Sequence, residues 1–168
     1  MTSEVTIERA SASDADRLRE IRLASLRDEP DAFGSTLAEA EQFGPAQWKL
    51  MAANWNYFLA TNDGQVVGMA GGGRYQRMTH ARWLYGMYVR PEVRGSGVAA
   101  RLVSEVAQWA RHEGVGTLGL HVTTTLARAR AFYFRLGFVD LGPAEPMDRD
   151  RTLFLQMMTT NLATNERI

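Results

Sequence analysis

Met87-Tyr88-Val89-Arg90-Pro91-Glu92-Val93-Arg94-Gly95-Ser96-Gly97-Val98-Ala99-Ala100 is the stretch that decides the fold, because it runs from an apolar strand through a glycine turn into an amphipathic helix. Upstream, Trp83 to Val89 are aromatic and aliphatic enough for a buried strand, and Pro91 stops the ladder from simply continuing. After Gly97 the period becomes helical, with Ala99, Leu102, Val103, Val106 and Ala110 on one face and Arg101, Ser104, Glu105, Gln108 and Arg111 largely on the other. The first N–H groups of such a helix lack intrahelical partners and carry the positive end of its dipole. The glycines remove the Cβ atoms that would hold an anion at a distance. The segment reads as a phosphate cradle.

Two kinds of glycine loop fit it poorly. A nucleoside-triphosphate loop needs Lys then Ser or Thr after its last glycine, where this chain has Val98 and Ala99. A dinucleotide loop needs a third glycine, where this chain has Ala100, and an acidic ribose partner about 20 residues on, where Gly116 to His121 offer none. Further along, Thr117 to Thr124 alternate Leu118, Leu120 and Val122 against Thr117, Gly119, His121 and Thr123, a strand with two distinct faces. A helix follows from about Leu126 to Leu136, Gly137 stops it, and Phe138 opens a short strand.

Taken together these segments resemble the Gcn5-related N-acetyltransferases. That family's acetyl-CoA loop reads Gln or Arg, two residues, Gly, one residue, Gly or Ala, and Arg94, Gly97 and Ala99 match it. Its second signature sets an Ala and a Tyr four residues apart before a Gly-Phe pair, matched by Ala129, Tyr133, Gly137 and Phe138. The resemblance extends over nearly the whole chain. Val5 to Arg9 reads as a first strand; Ser13 with Asp16 reads as a capping box for a helix to about Arg27, ended by Pro30. Asp31 to Gly44 reads as loop, Pro45 to about Asn54 as a helix carrying Trp48, Met51, Ala52 and Trp55 near one face, and Asn62-Asp63-Gly64 as a hairpin turn between strands at 57–60 and 65–72. Gly71-Gly72-Gly73 reads as a bulge or turn, Met147 to Asp150 as a turn, and Arg151 to Thr159 as a last strand. The resemblance implies a single α/β (α+β) acetyltransferase domain over residues 1–168, with a mixed central sheet of about seven strands and about four helices. Its fourth and fifth strands splay to admit acetyl-CoA.

Composition agrees. A chain of 168 residues buries about 70% of its unfolded surface without metal or disulfide support. Nineteen basic and nineteen acidic residues balance, which disfavours nucleic acid as a main partner. Zero cysteines exclude disulfides, zinc thiolates and a cysteine nucleophile, so no metal is expected and acyl transfer would be direct. No apolar run reaches the length of a membrane span and Met1-Thr2-Ser3-Glu4 does not open a signal peptide, so the expectation is a cytoplasmic protein without a membrane partner.

Site residues follow from the resemblance. The pyrophosphate would lie on the amides of Arg94, Gly95, Ser96, Gly97, Val98 and Ala99, and the pantetheine arm on strand backbone up to Val89. Gly86 would mark a bulge or merely relieve packing against Trp83 or Tyr88, and in the first case the Met87 or Tyr88 amide would donate to the thioester oxygen. Tyr133 matches the family's general acid: a phenol near pKa ~10 stays protonated and donates to a departing thiolate near ~8.5. The base is open. The family's usual carboxylate position falls near Trp83, leaving His80, Glu39 and Glu41 as candidates, each of which could equally be solvated. A lysine-type amine needs roughly 4.6 kcal/mol to be neutral at pH 7 and an α-amine about 1.4, so an α-amine could manage with a weak base acting through water. Leu126 stands where the family commonly has a pantetheine-holding Asn; Thr123, Thr124 or Thr125 could substitute or simply cap the helix. Arg130 could reach the 3′-phosphate of CoA. The reading is an acetyl-CoA-dependent N-acetyltransferase acting on a primary amine of a small molecule, amino acid or peptide. The alternative is a non-catalytic acyl-CoA-binding or sensing module, and homodimerisation is expected by family analogy alone.

Overall fold

The computed structural model describes residues 4–168. In chain order they form β1 (Thr6–Arg9), α1 (Ala15–Asp28), α2 (Leu37–Glu41), α3 (Pro45–Asn54), β2 (Tyr57–Asn62), β3 (Gln65–Gly73), β4 (Arg82–Val89), α4 (Val98–His112), β5 (Thr117–Thr123), α5 (Ala127–Arg135), β6 (Val139–Asp140), β7 (Glu145–Met147) and β8 (Asp150–Asn161). One mixed sheet runs β1-β2-β3-β4-β5-β8-β6, with β7 also on β8. Only β4 and β5 pair in parallel.

The mixed α/β architecture follows the sequence reading, with two elements more than expected. Within the segment read as loop, α2 forms because Thr36 and Glu39 close a capping box: Thr36 N–H donates to Glu39 Oε2 at 2.8 Å and Glu39 N–H to Thr36 Oγ1 at 3.2 Å. Five residues are too few to show an apolar period. Strand β7 was hidden by Pro146, which an edge strand tolerates. The start of α1 also shifts: Ser11 and Asp14, rather than Ser13 and Asp16, make the box, with Ser11 N–H donating to Asp14 Oδ2 at 2.9 Å ahead of a 3-10 turn. The β2–β3 turn is as read, with Asp63 and Gly64 both at positive φ (49° and 79°), as a two-residue hairpin loop of this type requires.

Two apolar cores lie on opposite faces of the sheet. Leu102, Val103, Val106 and Ala110 of α4 pack with Tyr133 and Leu136 over Phe58, Ala70, Leu84, Leu120 and Val122. Leu18, Ile21 and Leu26 of α1, with Trp48 and Met51 of α3, cover Tyr57, Leu59, Met69 and Tyr88. Trp55 departs from its expected face and is 48% exposed. The three consecutive glycines continue β3 rather than ending it. A Cβ at Gly71 or Gly73 would come within 2.5 or 2.7 Å of the Tyr85 ring, and one at Gly72 within 2.5 Å of Trp109 on the other face, so glycine lets aromatic rings lie flat on the strand.

Gly119 shows the same logic at its tightest. A Cβ there would sit 2.1 Å from Trp83 Cζ3. Gly119→Val is expected to destabilise by about 1–3 kcal/mol through overpacking, a fall in Tm of roughly 3–10 °C for a domain of this size. Gly116→Val is the control, because a Cβ at Gly116 meets nothing within 4 Å; equal melting temperatures for the two variants would refute the packing argument.

Candidate active site

β4 and β5 are joined only at Arg82–Leu118 and Trp83–Gly119. Beyond that pair they diverge, β4 remaining on β3 and β5 on β8. Beside the divergence β4 carries a bulge. Tyr85 pairs with Gly71 and Tyr88 with Met69, so Gly86 and Met87 together stand against Ala70. Gly86 adopts φ +60°, and a Cβ on it would lie 3.1 Å from Tyr57 Cε1. Its packing neighbour is therefore Tyr57, not Trp83 or Tyr88, and the strain-free bulge needs glycine. The bulge re-aims the backbone of Met87 and Tyr88 where the two strands part.

At the end of β4 the chain passes through a 3-10 turn (Pro91–Val93) and reaches Gly95 at φ +81° and Gly97 at φ +88°. Gly97 is the left-handed N-cap of α4. A Cβ on either glycine meets no heavy atom within 4 Å, so backbone conformation rather than packing demands glycine, and the loop surface is open. Ser96 Oγ donates to Val93 O at 2.6 Å and braces the turn. The side chain of Val98 is buried in the α4 core, while Ala99 is half-buried. Arg94 does not extend freely over the loop. Its Nε donates to Val89 O at 3.0 Å and its Nη2 pairs with Glu29 at 3.2 Å, tying the loop to the end of α1.

Tyr133 is 8% exposed on α5, with its ring 5.1 Å from Phe132 and 5.7 Å from Phe138. Burial pushes its phenol above the ordinary tyrosine value, so it stays protonated across the physiological range. Thr124 N–H donates to Phe154 O at 2.8 Å and prolongs the β5–β8 ladder. Leu126, rather than a threonine, takes the N-cap position of α5, which has no side-chain cap as a result. Arg130 pairs with Asp140 at 3.0 Å, while its Nη1 is buried without a hydrogen bond.

Of the three base candidates, Glu39 and Glu41 share α2 and His80 precedes β4. Glu39 is spent on the α2 cap, whose hydrogen bonds from Thr36 hold its carboxyl below the usual range. Glu41 is exposed at the end of that helix. His80 is exposed in the turn before β4, at the end of that strand opposite the glycine loop. Instead His121 projects from β5 on the α1 face, two residues past the last β4–β5 pair. Trp83 Nε1 donates to His121 Nδ1 at 3.0 Å, and Tyr75 closes the cluster with its ring 4.4 Å from Trp83 and 5.2 Å from His121. Accepting at Nδ1 makes the imidazole neutral with its proton on Nε2, and burial lowers its pKa in the same sense. Beside it Arg77 and Glu145 form a two-bond ion pair at 2.9 and 3.3 Å. Alternation along β5 already put His121 opposite the leucines; which face borders the cleft is a matter of where α1 and α4 dock.

A splayed parallel strand pair, a bulge beside it and a glycine loop opening a helix at its end are the scaffold that the resemblance to the N-acetyltransferases implies. Sequence comparison places the chain within that class. The model of the acetyltransferase (GNAT) family matches residues 17–138, and the chain belongs to that family. Thialysine N-epsilon-acetyltransferase of Bos taurus is 38% identical over 63 residues, a match covering 38% of this chain and 37% of that protein's length. Among solved structures, an acetyltransferase of the GNAT family from Streptococcus pneumoniae superposes with a TM-score of 0.76 at 21% identity, covering 94% of this chain and 99% of that one. The yncA protein of Salmonella typhimurium, solved with its cofactor acetyl-CoA, gives 0.72 at 22% identity and 95% coverage of both chains. At these identities the structural matches establish the fold.

Proposed function

We propose that the protein is an acetyl-CoA-dependent N-acetyltransferase that moves the acetyl group directly to a primary amine in a ternary complex. The observation that carries this is the two-residue β4–β5 pairing followed by divergence at the Gly86 bulge. The strand edges freed there suit an extended pantetheine arm, and the amides of Arg94 to Ala99 suit a pyrophosphate at the N-terminus of α4. Acetyl-CoA supplies the activated acyl group. The backbone N–H of Met87 or Tyr88 receives the charge that develops on the carbonyl oxygen as the amine nitrogen attacks. Tyr133 protonates sulfur as the C–S bond breaks, and the amine proton leaves through water. The base candidates on α2 and at His80 have no part in this scheme. The N-epsilon acceptor in the name of the bovine relative makes a small-molecule amine the first class to try.

Two measurements test the proposal. CoA at about 100 times its dissociation constant stabilises by roughly 2.7 kcal/mol, so a melting shift with acetyl-CoA and thiol release across an amine panel are both expected; binding without thiol release would instead favour an acyl-CoA sensor. Gly97→Ala tests the loop alone. Because a Cβ there meets no protein atom, the strain of φ +88° costs the free protein about 1–2 kcal/mol, while CoA affinity falls about tenfold or more as the methyl enters the phosphate's approach. Unchanged CoA affinity would remove the loop from the donor site.

A further inference from the structure

We propose that Arg22 is the receptor for a carboxylate on the acceptor, so that the amine acetylated here belongs to an amino acid. This rests on the transfer reading above and names its substrate class. Arg22 sits on α1, facing the sheet side that carries Tyr57 and Tyr85. Its guanidinium lies 4.7 Å over the Phe33 ring and donates from Nη2 to Ser35 Oγ at 3.3 Å. Nη1 is buried with no hydrogen-bond partner, and no described carboxylate pairs with the side chain.

That is unusual within this molecule. Arg82, Arg90, Arg94 and Arg130, all at least partly buried, each hold a carboxylate at 2.7–3.2 Å. Arg111 and Arg149 have none but are saturated by backbone carbonyls: Leu162, Asn165 and Ile168 for the first, Phe33 and Pro30 for the second. Arg22 alone of these couples a lost hydration shell to a single hydroxyl contact. A cation removed from water without a counter-charge is costly to maintain, and an incoming anion recovers that cost. The planar fork of a guanidinium matches a carboxylate in particular.

Location decides whose carboxylate it is. The Phe33 ring under the Arg22 guanidinium packs in the same apolar core as Tyr57 and Tyr85, which meet edge to face at 5.6 Å. Tyr57 in turn packs on Gly86, its hydroxyl 3.4 Å from where a Cβ would be. Through Phe33, Arg22 therefore borders the core cluster that packs on the bulge proposed to receive the thioester carbonyl. The loop that would take the phosphates of CoA lies at the far end of β4, tied to α1 by Arg94 and Glu29. The anion for Arg22 thus arrives with the acceptor, its amine directed to the bulge and its carboxylate to α1.

The test compares each of the twenty amino acids with its carboxamide, which keeps the amine and removes the negative charge. Binding is read by calorimetry on the protein saturated with CoA, and turnover separately by thiol release with acetyl-CoA. At least one acid is expected to bind about 10- to 100-fold more tightly than its amide, and Arg22→Gln is expected to bring the acid down to the level of the amide. Retention of the melting shift with CoA shows that the variant is folded; if it is not, the wild-type acid–amide comparison decides by itself. Failure of every acid to bind, or equal binding of acids and amides, overturns the proposal. Acid-selective binding without thiol release leaves the carboxylate receptor standing and overturns the transfer reading instead.

Discussion

Tyr133→Phe is expected to lower the rate of the chemical step by about 10²–10⁴-fold, the usual range for loss of a positioned general acid, with affinity for acetyl-CoA little changed. The ring contacts with Phe132 and Phe138 need no hydroxyl, so the α5 packing survives. On the proposed scheme what is lost is the proton donor to the leaving sulfur, a phenol that burial keeps in its protonated form. The departing thiol of CoA ionises near ~8.5, so protonation matters most below that pH. The deficit should accordingly narrow as the assay is taken toward pH 9. Single-turnover thiol release separates the chemical step from product release. An unchanged single-turnover rate at pH 7 would remove Tyr133 from the mechanism and return it to the core.

Gly86→Val should cost both stability and rate, and by different routes. A β-branched residue is strained at φ +60°, and its Cβ would meet Tyr57 at 3.1 Å, so about 1–3 kcal/mol of stability is lost. If the chain escapes the strain by flattening the bulge, the amides of Met87 and Tyr88 turn away from the position proposed for the thioester oxygen. Loss of one such donor typically lowers kcat by about 10²–10³-fold. The informative outcome is a variant that still melts cooperatively and still shifts with CoA but transfers slowly. A destabilised variant with full turnover would show that the bulge serves packing only.

How much was readable beforehand depended on whether the signal was local. The glycine loop was legible because positive φ at Gly95 and Gly97 and the start of α4 are set by a few consecutive residues. Tyr133 was singled out only through the resemblance, by the spacing of Ala129, Tyr133, Gly137 and Phe138, and what the structure adds is its burial on α5. The Gly86 bulge was anticipated as an interruption of a strand pattern, though not the tyrosine that packs on it. Short elements were missed: α2 exists through one capping box, and β7 contains a proline. The acceptor side was the least legible. Arg22 reads as one more polar position on an amphipathic helix, His121 as one more polar position on a strand, and Glu39 as a carboxylate near the cleft.

The amino-acid sequence by itself determined the order of the longer strands and helices and the glycine turn, because each depends on backbone conformation and side-chain period over about a dozen neighbours. Only the tertiary structure decided which charges are spent and which are left over. Glu39 closes a cap and Arg94 holds Glu29, while Arg22, laid over Phe33 beside the core that holds Tyr57 and Tyr85, has its Nη1 enclosed without a hydrogen-bond partner and pairs with no described carboxylate. The physical reason is that desolvation and ion pairing depend on how α1 docks on the sheet, and no local pattern encodes that.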